Sequence, residues 1–171
     1  GTGDGNGDGI QDIEQDAVSS LIWSQQDDID PTYLTVWNDQ NLKQTQVATS
    51  QDNLPSRDDI SFPFGSLALN FEGINVGAST QVSVLIHGTE PINGYWKKDV
   101  NGNLVNIAET ITTSDHNTLI TFTLTDGGRF DADGLANGRI VDPGAPGLIT
   151  LNQLQLSQAQ LAQVSPRNAD T

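Results

Sequence analysis

The sequence contains no cysteine and no methionine. Disulfides are therefore excluded as staples, and a secreted domain without them needs another cross-link. Calcium is the usual one where free calcium is abundant. Basic residues are scarce: 7 Lys and Arg stand against 22 Asp and Glu, a formal net charge of −15. That balance repels nucleic acid and anionic membrane surfaces, and it repels itself unless cations neutralise it. No apolar run reaches transmembrane length, so membrane insertion is not expected. The patterns GxSxG, P-loop and HExxH are missing, and with them the commonest hydrolytic and phosphoryl-transfer chemistries. The two histidines, His87 and His116, lie far apart in sequence and read as structural or solvent-facing, so no enzyme is expected. The chain opens at Gly1 inside a motif, as expected of a piece of a longer protein whose flanking domains and targeting signals lie elsewhere.

What is present is enough to fold. The 171 residues fit one domain with a real core, and 35% are hydrophobic. Leu67, Leu69 and Phe71 alternate with polar or small residues, as do Val82, Val84 and Ile86, and Ile120, Phe122 and Leu124. Period two marks half-buried strands of antiparallel sheets. Residues 32–37 and 44–49 have strand-like content, and Tyr95-Trp96-Lys97 sits between the turn signals Asn93-Gly94 and Asn101-Gly102-Asn103. These features predict an all-β fold: a calcium-stabilised antiparallel β-sandwich, jelly-roll-like. Residues 1–16 read as a calcium-binding loop packed on the domain and 17–150 as the sandwich. Residues 151–171, Gln-rich with Leu151, Leu154 and Leu161 on one face, read as a short C-terminal helix or linker.

Twelve of the 22 acids fall in residues 4–30 and 126–142, which points to bound metal rather than a diffuse acidic surface. In the first cluster, DGNGDGIQD matches nine positions of an EF-hand-type loop. Asp4, Asn6 and Asp8 occupy positions 1, 3 and 5, glycine stands at 6, and Ile10 at 7 offers its carbonyl while its side chain anchors the loop to the core. Asp12 is at position 9. Position 12 is Gln15 rather than the bidentate Glu of an EF-hand, with Asp16 as a competing ligand. That departure suggests helix-free relatives of the dockerin and thrombospondin type.

The second cluster, DGGRFDADGLANGRIVDPGAPG, spans residues 126–147. It is far longer than the two to five residues a hairpin needs. Asp126, Asp131, Asp133 and Asp142 are hard oxygen ligands, and Asn137 adds an amide oxygen, a set that suits Ca2+. Zinc is disfavoured by the lack of thiols. The run reads as a calcium cage built from a strand end.

This run also resembles the most distinctive motif of bacterial choice-of-anchor U domains: DGG, an acidic D/G/A cluster, then ANG-x-I-x-DPG. Other landmarks follow the same order: DGNGDGIQD with VSSL, then Phe62-Pro63-Phe64-Gly65 with SLALNFEG, then Asn93-Gly94-Tyr95-Trp96-Lys97. Together they cover roughly residues 4–148. The layout is similar to the peptide-binding domain of RTX adhesins, surface proteins with which bacteria attach to hosts and to one another. The resemblance implies an extracellular, cell-surface, monomeric module with a functional calcium in the 126–147 loop, where the free C-terminal carboxylate of a target peptide completes the coordination. It places that role on Asp126, Asp131, Asp133 and Asp142. The backbone N–H groups of Gly127 and Gly128 are candidates for an anion nest beside the metal. Arg129 and Arg139 either bond the peptide carboxylate or pair with local aspartates. Tyr95 and Phe130 are candidates for burying penultimate side chains; Trp96 reads as core.

Two other readings remain open. A calcium lectin uses the same chemistry, with vicinal sugar hydroxyls in place of the carboxylate. A spacer in a surface filament needs calcium for stability alone.

Overall fold

The computed structural model describes residues 3–23, 32–51, 57–88 and 90–150. Among these, eleven strands form two antiparallel sheets packed face to face. The first sheet runs in the order β1 (Val18–Ile22), β2 (Tyr33–Asn38), β6 (Ser79–His87), β10 (Thr118–Thr125), β9 (Thr110–Thr113). The second runs β3 (Lys43–Ser50), β5 (Ser66–Glu72), β11 (Arg139–Ile149), β7 (Gly94–Lys98), β8 (Leu104–Asn106), with β4 (Ile60–Ser61) paired to the end of β11. The fold is the expected all-β sandwich. The helix expected after residue 150 lies outside the described residues.

The period-two segments form the core. Leu67, Leu69, Phe71, Val82, Val84, Ile86, Ile120 and Phe122 are all fully buried. Their alternation fixes register, because a one-residue slip would turn each set to solvent. Val84 pairs with Ile120 on one side and with Val36 on the other. Trp23 stacks on Phe64 at 5.2 Å, and Tyr95 on Phe122 at 4.2 Å. Tyr95 was expected at a ligand surface. Instead its ring is fully buried between the sheets, which removes it from any contact with an external ligand.

The acidic loop is shorter than the sequence suggested. Residues 139–149, including both prolines of DPGAPG, form β11, an interior strand of the second sheet. It pairs with β5 over Arg139–Gly144 and with β7 over Ala145–Gly147. Prolines cannot donate to a ladder, which argues against an interior strand. Here the geometry accommodates them. Val141 turns its N–H and carbonyl away from β5, to Asp131 and Ala132. Backbone groups alternate sides along a strand, so the nitrogen of Pro143 also turns from β5 and no ladder bond is lost. Pro146 falls in the stretch where β11 has left β5 and not yet met β4. Gly144 lets Tyr95 lie against the strand: a Cβ there would come within 2.7 Å of the ring Cζ.

Candidate functional site

Two acidic loops carry the candidate ligands, and the fold treats them differently. In the N-terminal loop, Asp4 curls the chain around itself. Its carboxylate accepts the N–H groups of Gly7 at 2.7 Å, Asp8 at 3.1 Å and Gly9 at 2.7 Å. Gly7 and Gly9 take positive φ, 75° and 88°, which the turn requires and a side chain would resist. Asp8 then accepts the N–H of Ile10 at 2.8 Å. That backbone bond holds its carboxyl below the usual range against the small opposing effect of burial.

Four of the predicted donors gather here. The Gln15 side-chain amide lies 3.2 Å from Asp8 Oδ1 and 3.2 Å from the Ile10 carbonyl, and the Asn6 amide is 3.0 Å from Asp8 Oδ2. Here the amide nitrogens donate to the carboxylate and the carbonyl; carboxylate, amide and carbonyl oxygens are the hard donor types calcium takes. Asp4, Asn6, Asp8, the Ile10 carbonyl and Gln15 are the residues that could hold the ion, each amide presenting its oxygen once turned about its axis.

Asp12 does not join them. Its carboxylate accepts the Gly5 N–H at 3.0 and 3.1 Å and the hydroxyl of Ser20 on β1, and it is nearly buried. It fastens the loop to the sheet instead of facing the other donors. The Ile10 side chain, expected to anchor the loop, is 50% exposed. The anchor is Gly5, whose bare Cα packs on Ser20, Thr35 and Asp12; a Cβ there would come within 2.7 Å of Ser20 Oγ.

In the loop of residues 126–138, the aspartates serve the backbone. Asp126 accepts the N–H groups of Gly77 and Gly138, both at 2.9 Å, and of Asn137 at 3.2 Å. Burial pushes its carboxyl up, but these donors together outweigh it and the group sits below the usual range. Asp131 accepts from Gly127 at 2.8 Å and from Val141 at 3.0 Å, standing in for a neighbouring strand along the edge of β11. Asp133 accepts from Leu135 at 2.9 Å and from the Asn137 amide at 3.1 Å.

Asp142 is not in the loop at all. It lies on β11, faces the interior, and forms an ion pair with Lys97 of β7. Burial pushes its carboxyl up while Lys97 pulls it down, and burial prevails. Asp142 Oδ2 and the Tyr95 hydroxyl are both buried without a hydrogen-bond partner. Among the described residues no three His, Cys, Asp or Glu side chains are grouped as a metal would need. Of the four aspartates expected to form a cage, Asp126 and Asp131 accept from backbone donors, Asp133 from Leu135 and Asn137, and Asp142 pairs with a buried lysine.

The ligand-binding candidates are likewise engaged. Gly127 donates its N–H to Asp131, and Gly128 donates to the Thr125 carbonyl at 2.8 Å, so the pair forms no free nest. A Cβ on Gly127 would come within 2.6 Å of the Ala136 nitrogen, so its glycine serves close packing. Arg129 donates to Asp99 at 2.9 Å and lies over Phe130, 5.0 Å from the ring centroid. Asp99, held by Arg129 first and by the Asn103 N–H next, drops to about 2. Phe130 is partly buried against the core. Arg139 opens β11 and is exposed, as is Asn137.

Sequence reasoning missed Lys97 and Asp99. For Lys97 a signal existed: in Tyr95-Trp96-Lys97, an inward Tyr95 forces an inward Lys97 by alternation. Asp99 carried none, since only the fold brings it to Arg129. No known family model, curated protein or solved structure matches the chain.

Proposed function

We propose that the chain is a calcium-dependent ligand-binding module of a large bacterial surface adhesin, working outside the cell as a monomer between flanking domains. Its targets are peptides or proteins with a free C-terminal carboxylate. The ordered motifs of residues 4–148 support the adhesin reading. The observation that carries the calcium dependence is the convergence of the Gln15 amide, Asp8 Oδ1 and the Ile10 carbonyl, with 3.2 Å from the amide to each oxygen.

Calcium in the N-terminal loop would supply rigidity. It would neutralise Asp4 and Asp8 and fix the segment that Gly5 and Asp12 seat on the first sheet. The carboxylate-binding role belongs to the other loop. There Asp133, Asn137 and Arg139 are the candidates on the outer side, and Arg139 offers a charge-assisted bond to a terminal carboxylate.

The test is a peptide array in calcium, each peptide made with a free and with an amidated C-terminus, alongside a glycan array. Binding of the free form and its loss on amidation support the reading. Equal binding of both forms sinks it, and glycan binding without peptide binding turns the assignment to a calcium lectin. A second reading, a structural spacer, is favoured by one observation: Asp126, Asp131, Asp142, Gly127, Gly128 and Arg129 already have partners within the chain. It predicts calcium-dependent stability with silence on both arrays.

A further inference from the structure

A cavity of about 710 Å³ lies between the N-terminal loop and the outer face of the first sheet. Asp4, Asp12 and Ile13 form one wall; Ile22, Tyr33 and His87 belong to the opposing strands. No residue of the 126–138 loop lines it. Its rim is unusually apolar. Ile13 is 75% exposed, Ile22 49% and Tyr33 48%, three of the seven exposed large hydrophobics among the described residues. Solvated isoleucines gathered around one hollow, rather than scattered singly, mark a surface that binds.

The floor is polar and directional. Ser20 donates to the Asp12 carboxylate, Ser20 Oγ lies 2.7 Å from Thr35 Oγ1, and Thr35 Oγ1 lies 3.0 Å from His87 Nε2. An ionised carboxylate only accepts, so the one proton of Ser20 goes to Asp12. Thr35 must then donate to Ser20, and His87 must donate its Nε2 proton to Thr35. The chain places a proton on Nε2, so in the neutral imidazole Nδ1 is the acceptor, on a ring that lines the cavity. Such a site takes a ligand that brings a donor.

Charge narrows the class. No lysine or arginine lines the cavity; Asp12, which holds no place in the proposed calcium set, does, and the whole chain carries −15. An anionic ligand is repelled and a cationic one concentrated. The Tyr33 ring adds a face on which an ammonium is attracted to the π-system. We propose that this cavity is a second binding site, for an organic ammonium attached to an apolar body of side-chain size. The ammonium donates to His87 while its apolar part covers Ile13 and Ile22.

The proposal does not depend on the carboxylate-binding role of the 126–138 loop. The test is calorimetric titration of the full chain, saturated with calcium, with 2-phenylethylamine, and in parallel with 3-phenylpropionate as the anion of similar shape. The amine should bind saturably and at least about tenfold more tightly than the carboxylate, about 1.4 kcal/mol. Tyr33→Ala and His87→Ala, both at solvent-reached positions, should each weaken the amine several-fold without shifting the melting temperature much. Arg139→Ala should leave it unchanged. Thr35→Val, which frees the imidazole to change tautomer, should weaken the amine while leaving any binding of the carboxylate alone. Equal binding of the two probes, no saturable binding of the amine, or amine binding indifferent to Tyr33→Ala and His87→Ala would overturn the assignment.

Discussion

Lys97 and Asp142 meet as an ion pair inside the sandwich, their side chains 2% and 0% exposed. Neighbouring strands place them there, β7 and β11, with Tyr95 two residues from Lys97 on the same face. Removing one partner leaves a buried charge without compensation. Lys97→Met should therefore cost about 3–5 kcal/mol in urea unfolding. The double variant Lys97→Met/Asp142→Leu should recover most of that loss, because a well-packed apolar pair replaces a buried ion pair with little penalty. A double variant no more stable than the single one would show that the pair has a role beyond mutual neutralisation.

Acid should unfold the protein partly through Asp99. Arg129 first, then the Asn103 N–H, hold this carboxyl at about 2 in the folded state. The unfolded value is about 3.9, so the folded value is depressed. The stabilisation is then fully present above about pH 4 and is lost as pH falls through about 2. The gap in melting temperature between wild type and Asp99→Asn should close between about pH 5 and about pH 2. Asp126, also held below the usual range, should add to the same acid limb. A gap that stays constant across this window would contradict the Arg129 contact.

Gly5 should tolerate no side chain. A Cβ would press on Thr35 Oγ1 and come within 2.7 Å of Ser20 Oγ, so the N-terminal loop would have to lift from the sheet. Gly5→Ala should destabilise by about 1–3 kcal/mol, the usual cost of overpacking. Gly3→Ala, where a Cβ meets nothing within 4 Å, should be nearly silent in the same thermal melts. Comparable losses from both variants would mean that seating on the sheet is not what fixes the loop.

Asp126 gathers three backbone donors from two segments of the chain, at Gly77, Asn137 and Gly138. Asp126→Ala leaves these N–H groups unpaired, each a desolvated donor without an acceptor. The variant should melt lower than wild type with calcium and with chelator alike, by the same amount in each. If its deficit appears only in calcium, Asp126 is a metal ligand after all.

The core faces of β5, β6 and β10 were legible because alternation of apolar residues admits one burial pattern; which strands pair was not. The local curl of the N-terminal loop was legible because its contacts are spaced by the loop itself. The end of the acidic run was not. DPGAPG has the composition of a loop, and only the register shows that Pro143 and Pro146 sit where the ladder asks for no donor on that side. Asp142 was misplaced for the same reason, since its role depends on a lysine 45 residues away. The Asp12–Ser20–Thr35–His87 chain is equally silent in sequence, as it joins three strands and a loop.

The most direct test of calcium dependence is the melting temperature in millimolar calcium against EGTA, for wild type and for Asp8→Ala. Binding to the folded state alone adds about 4 kcal/mol at a thousandfold excess over Kd. Wild type should therefore melt several degrees higher in calcium, and Asp8→Ala, which removes the carboxylate on which Asn6, Ile10 and Gln15 converge, should lose most of that response. A wild type that melts at one temperature in both, or an Asp8→Ala variant that keeps the full response, would contradict a calcium site in the N-terminal loop.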